Sequence, residues 1–208
     1  MRKKVLLGIG ILVLLGVVSF NGYKLVVYRH YTLYLNQTYP GRSFHVGWAE
    51  YDFLNRNCFS QAVCEDDGTT FTISGTNAIR EQYLLTRNRK PIDGIMDSAL
   101  AGEDCYRYIR QISASAVDDE ALDTDGEIDY GKLAYDVYVV CQYNAIGDDR
   151  QFAELSYHVI RSLKSHGVQI SSIAFDCERE KSVYSLLLEG LEVDGQVGEI
   201  EEHIEKRK

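Results

Sequence analysis

The first thirty residues carry no acid, the whole chain has only two prolines, and no segment is repetitive. Each scarcity excludes something. Without proline-rich or low-complexity tracts there is no compositional case for long disorder, so the polar part is expected to fold. No cysteine stands directly after the first apolar run, which rules out a bacterial lipoprotein processed at a lipidated thiol. No HExxH run, GxSxG elbow or phosphate-cradling glycine loop occurs, and the sequence therefore assigns no catalytic residue, cofactor or metal site.

What is present begins with a charge asymmetry. The formal charge is -9, yet the first thirty residues hold five bases, Arg2, Lys3, Lys4, Lys24 and Arg29. The remaining 17 bases face all 31 acids. Such a strongly acidic body repels nucleic acid and anionic lipid, so neither is expected as its main partner. One local basic spot, Arg80 with Arg87, Arg89 and Lys90, reads as a solvated helix face and turn.

Val5 to Phe20 is an unbroken apolar and small run behind the basic cluster, and apolar character resumes at Leu25 to Tyr28. Sixteen residues alone rise only ~24 Å, whereas a helix continued to Tyr28 rises ~36 Å and covers the ~30 Å hydrocarbon layer. The expectation is an uncleaved anchor over 5–28 that contacts the lipid bilayer, after a cytoplasmic tail of 1–4. Tyr23, Lys24, Tyr28 and Tyr31 are the candidate interface residues, three amphipathic rings and one base able to snorkel. The rival, a cleaved signal peptide, wants small residues before the cut and finds only Val17 and Ser19. The leading bases place the N-terminus in the cytoplasm and the bulk outside it.

The helical pattern continues past the anchor to Tyr34 and Leu35 and stops at Pro40 and Gly41, so anchor and first domain helix are expected to form one rod. Two-residue alternation then marks strands at Phe44–Trp48, Cys58–Cys64 and Thr69–Ser74. A helix is expected from Asn77 to Arg87, a break at Pro91, and a second helical stretch around Cys105, Tyr108, Ile109 and Ile112. The acidic stretch 118–131 reads as a linker. Beyond it come a strand at Leu133–Tyr143, a helix from Asp149 closing at Gly167, strands at Ile170–Cys177 and Ser182–Leu188, and a short acidic C-terminal helix. The fold class is α+β: an N-terminal transmembrane helix followed by two small helix-over-antiparallel-sheet units, 29–117 and 132–208.

The helix ending in YLNQTYPG, followed by SFHVGWAEYDF and a strand pair, resembles the YfjL-like group of bacterial membrane-anchored proteins. The resemblance implies a Gram-positive envelope setting and carries no catalytic residues.

Five cysteines in an extracytoplasmic chain raise the question of disulfides. Cys141 and Cys177 end strands flanking the Asp149 helix and form the candidate disulfide if those strands are parallel neighbours; the alternative is that the cysteines are small buried apolar residues. Asp123 to Asp129 has the alternating oxygens of a calcium loop, but Ala121 and Lys132 occupy the end positions and a solvated acidic stretch is the better reading. Glu154 and His158, one turn apart with His166 two turns on, are an ordinary helix-surface pair as much as a base with its orienting carboxylate. Asn36-Gln37-Thr38 matches a glycosylation acceptor but lies in a helix.

These features suggest a non-enzymatic, membrane-tethered module that binds an envelope protein or a small ligand. An enzyme with a dispersed site is the alternative, together with a cystatin-like protease inhibitor by analogy of helix over sheet.

Overall fold

The computed structural model describes residues 2–180 and 182–207, with side chains from Gly10 onward except Leu191. The side chains of Arg2, Lys3, Lys4 and the start of the apolar run lie outside the described residues, as does Lys181 in the charged turn after Glu178. The chain is α+β and divides into two compact units, Met1–Arg87 and Asn88–Lys208.

The first unit opens with α1 (Arg2–Thr38), a single 37-residue helix. Within it Gly10–Thr38 is long and apolar enough to cross a membrane, as a membrane anchor or a signal sequence would be. Its side chains are exposed almost throughout Gly10–Val26. From Val27 the helix acquires a buried stripe, Val27, Tyr31 and Leu35, whose four-residue spacing aligns one face. Tyr39 extends that face and Gly41, at φ +92, turns the chain where a side chain would be strained.

Under this stripe lies a sheet made of β1 (Phe44–Val46), β2 (Glu50–Asp52), β3 (Asn57–Cys64), β4 (Thr70–Ser74) and β5 (Arg80–Glu81). The order is β1-β3-β4-β5, and β2 pairs with the other end of β3, so β1 and β2 make one interrupted edge. The interruption is at Gly47, whose N–H still reaches the Gln61 carbonyl at 2.8 Å. A Cβ there would come within 3.0 Å of that carbonyl oxygen, which is why glycine holds the position. Strand β3 buries Cys58, Ser60, Ala62 and Cys64, the period-two pattern that made it legible. Rings of Tyr39, Phe44, Phe71 and Tyr83 pack edge-on or tilted at 5.0–5.9 Å.

Helix α2 (Tyr83–Leu100) contains Pro91 in its interior and begins six residues after Asn77. The expected break is therefore corrected: proline fixes φ at a helical value and forfeits one N–H, and the buried stripe Ile92, Met96, Ala99 and Leu100 outweighs that loss. The second expected helix is also corrected. Only Asp104–Tyr108 is a short 3-10 turn, and β6 (Ile109–Ala116) is a strand.

The second unit carries a sheet in the order β10-β9-β8-β7-β6. Its members after β6 are β7 (Ala134–Cys141), β8 (Gln169–Arg179), β9 (Ser182–Glu189) and β10 (Glu205–Arg207). Between β7 and β8 runs α3 (Asp149–Ser165), and α4 (Val197–Glu202) precedes β10. β7 and β8 are parallel while the other neighbours are antiparallel, so the expected antiparallel sheet is corrected to a mixed one. A 17-residue helix joining two adjacent strands carries the chain back to its starting edge, which makes them parallel. The acidic stretch 118–131 connects β6 to β7, antiparallel neighbours in this sheet, and is thus a loop within the second unit rather than a linker between two. Asn88 ties it down, its Nδ2 donating to the carbonyls of Leu122 and Thr124 at 2.7 and 2.8 Å.

α3 buries Phe152, Leu155, Val159 and Leu163, and on the sheet Val139, Phe175 and Leu186, side by side in register, are buried as well. Phe152 meets Phe175 and Tyr184 edge-on at 6.3 and 6.1 Å. Ser162 Oγ donates to the Ala99 carbonyl at 2.9 Å, bringing the end of α2 beside α3.

Candidate functional site

In open sheets with helical crossovers, ligand crevices form beyond the carboxyl ends of parallel strands. The second unit has a cavity at such a place, of about 590 Å³, between the Asp104–Tyr108 turn, the loop after β7 and the first half of α3. That size suits a small ligand. Its polar lining includes Glu103, Asp104, Cys105, Tyr108, Glu154 and His158, and among the described residues no lysine or arginine lines it.

Local structure fixes this lining. Asp148 caps α3 by accepting from the Gln151 N–H at 2.8 Å, and the Gln151 side chain in turn accepts from the Gly147 N–H at 2.7 Å. The reciprocal pair holds the start of the helix, so residues 151, 154, 155 and 158 present one face to the cavity. Gly102, at φ +92, turns the chain out of α2 and into the segment bearing Glu103 and Asp104.

The electrostatics favour a cation or a hydrogen-bond donor over an anion. Three carboxylates line the space, and burial with the Glu103 charge pushes the Cys105 thiol up, away from thiolate character. Glu154 does not orient His158: its Oε1 accepts from Arg150 Nε at 3.0 Å, while His158 lies edge-on to Tyr157 at 5.8 Å. His166 is a helix-end residue, its Nδ1 2.9 Å from the Ser162 carbonyl. Among the described residues no group of three or more His, Cys, Asp or Glu is placed to hold a metal ion.

Cys141 and Cys177 lie toward the carboxyl ends of the adjacent parallel strands β7 and β8. Parallel pairing runs to Val140 opposite Asp176, which puts the two cysteines next along adjacent strands. Both are buried free thiols, as are Cys58, Cys64 and Cys105. The hydrogen bond between Cys141 and Cys177 raises the former and lowers the latter; burial raises the one further and opposes the fall of the other. The backbone amides of Ile146 and Ala145 add to the lowering at Cys177.

The candidate interface residues separate into two environments. Tyr23 is exposed, and Lys24 Nζ sits 5.2 Å from the centre of the Phe20 ring. Tyr28 stacks on Trp48 with ring centres 6.2 Å apart. Tyr31 is fully buried in the first unit and its hydroxyl donates to the Cys58 carbonyl at 2.7 Å, so its ring meets protein and not lipid.

Sequence reasoning did not find the cavity, because the Gly102–Tyr108 segment and α3 lie some fifty residues apart and meet only in the folded unit. The one signal available was polar side chains at 154 and 158 on a helix whose other face is apolar. A scan of protein-family models finds no match to the chain, and neither curated proteins nor solved structures yield one.

Proposed function

We propose that this chain is a single-pass membrane-anchored binding protein, its N-terminus cytoplasmic and its folded body outside. In layout it resembles the YfjL-like group. The anchor reading rests on the exposed apolar surface of α1 from Gly10 to Val26, which touches the first unit through the Phe20 ring on Tyr51 before the buried stripe starts at Val27. Counted from Val5, the apolar segment up to Val26 is 22 residues in sequence, or ~33 Å of helix, which matches a hydrocarbon layer of ~30 Å.

The observation that carries the binding reading is the carboxylate-lined cavity beside α3. We infer a small, positively charged or donor-rich ligand, recognised by Glu103, Asp104 and Glu154. Calorimetric titration of the protein in detergent with a panel of small amines tests it. At least one amine is expected to bind, more weakly after Glu103→Gln with Asp104→Asn, and uniform silence of the panel rejects the reading.

An enzyme remains the second reading, favoured by the convergence of Cys105, Tyr108 and His158 on one cavity. It requires turnover that His158→Ala abolishes. Sidedness is tested with an added cysteine at exposed Glu127, since the native thiols are buried. An impermeant reagent labels Glu127→Cys on intact cells if the body is outside, and only after lysis if it is not.

A further inference from the structure

We propose that the β2–β3 hairpin tip, Phe53 and Leu54, inserts into the outer leaflet beside the anchor, giving the first unit a second contact with the bilayer. The inference rests on the anchor reading and extends it to a part of the chain far from α1 in sequence.

Among the described residues of the first unit the tip is the most exposed apolar pair, with Phe53 at 75% and Leu54 at 94% exposure. It is also continuous with the anchor surface. The Phe53 ring stacks on Phe20 at 6.3 Å, Tyr51 meets Phe20 edge-on at 6.0 Å, and Tyr51 meets Phe53 at 5.0 Å. Depth then follows from counting. Starting at Val5, ~20 residues of helix fill a ~30 Å hydrocarbon layer and bring its outer edge to about Lys24. Phe20 lies about one turn inside that edge, and a ring stacked on Phe20 lies there too.

The backbone of the tip is prepared for water-poor surroundings. Asp52 accepts from the N–H groups of Leu54 and Asn55 at 2.8 and 3.2 Å and from Asn55 Nδ2 at 2.6 Å, so amides that water would otherwise serve are bonded internally. Arg56, in the left-handed region at φ 50, follows the apolar pair on the same turn. Its side chain is exposed and long enough to snorkel to lipid phosphates, a cation opposite in sign to Asp52 and to the acidic body.

The test uses the full chain in phosphatidylcholine vesicles whose acyl chains carry bromine, a quencher of tryptophan. Trp48 is the sole tryptophan. A Trp48→Phe background keeps an aromatic ring against Tyr28, and Phe20→Trp or Leu54→Trp then reports a single depth. Quenching of Leu54→Trp is expected within about twofold of Phe20→Trp, as shared burial ~5–10 Å into the boundary requires. Because tryptophan itself favours interfaces, Phe53→Asp is added to both proteins. It is expected to lower quenching at position 54 and leave it unchanged at position 20.

If Phe20→Trp is quenched and Leu54→Trp is not, the tip stays in water or meets another protein, and the proposal fails while the anchor stands. Equal quenching at position 54 with and without Phe53→Asp means that the introduced tryptophan did the inserting, which also overturns it. Quenching of neither rejects the anchor and the hairpin together.

Discussion

The two units solve the burial problem with different material. The first lays one face of α1, a helix whose described side chains before Val27 are almost all exposed and mostly apolar, onto a five-stranded antiparallel sheet and fills the space with aromatic rings: Tyr31, Tyr39, Phe44, Phe71 and Tyr83. The second uses a helix with one apolar stripe and one polar face over a mixed sheet whose buried positions are mostly aliphatic, among them Val137, Val139, Ile173, Leu186 and Leu188. The difference bears on autonomy. The first core borrows its helix from the long apolar segment, so under the proposed anchor reading membrane and fold are coupled through α1; the second takes α3 and α4 from within Asn88–Lys208.

The severest way to break this comparison is to delete residues 1–38. Loss of Val27, Tyr31 and Leu35 uncovers the first sheet, and amide exchange across β3 and β4 is expected to become unprotected while β7 to β9 stay protected. Protection retained in β3 would show that α1 is dispensable to the core. Next in size, Phe152→Ala removes the ring that contacts both Phe175 and Tyr184. It is expected to cost about 3–5 kcal/mol in the second unit, read as a lowered denaturant midpoint there and an unchanged one in the first.

A smaller effect sharpens the account of the first unit's polar network. Arg42 Nη1 donates to the Tyr83 hydroxyl at 2.7 Å, and that hydroxyl donates to Asp67 at 2.7 Å. Burial opposes ionisation of Asp67, yet hydrogen bonds from Thr69, Tyr83 and Cys64 overcome it and hold the carboxyl at about 2. Burial and the hydrogen bond to Cys64 push the Tyr83 hydroxyl up. Since the folded carboxyl is more acidic than an unfolded one near ~3.9, its contribution is complete above that pH and is lost as pH falls toward about 2. Asp67→Asn is expected to remove about 1–3 kcal/mol at neutral pH and flatten stability across that acid window. An unaltered acid profile would assign the loss to other carboxylates.

The mildest change is Tyr31→Phe. It deletes only the bond to the Cys58 carbonyl, which also accepts from the Gly75 N–H at 3.0 Å, and about 1 kcal/mol is expected from the melting shift. A shift as large as that of Phe152→Ala would mean the hydroxyl anchors the helix to the sheet.

Much of the element map was legible because burial alternates where pairing is regular. Strand β7 reads intermediate, buried, exposed, buried along its first four residues, and its hydrophobic side chains follow the same beat. Strand β6 was misread for a definite reason. Its register shifts between Ile109 and Gln111, so the buried residues Ile109, Ile112 and Ala116 fall at spacings of three and four, the rhythm of a helix. Glu154 and His158 were visible as a pair, but their neighbours Glu103, Asp104 and Cys105 lie some fifty residues earlier, and no local pattern brings them together.

The amino-acid order alone determined the apolar helix, the alternating strands and the stop at Pro40-Gly41, because these depend on side chains within a few residues of one another. Tertiary structure decided that α1 lends Tyr31 to a protein core, that β7 and β8 run parallel with Cys141 and Cys177 side by side, and that Phe53 meets Phe20. Those outcomes are set by which distant surfaces bury the most apolar area together, a competition across the whole chain that no short segment records.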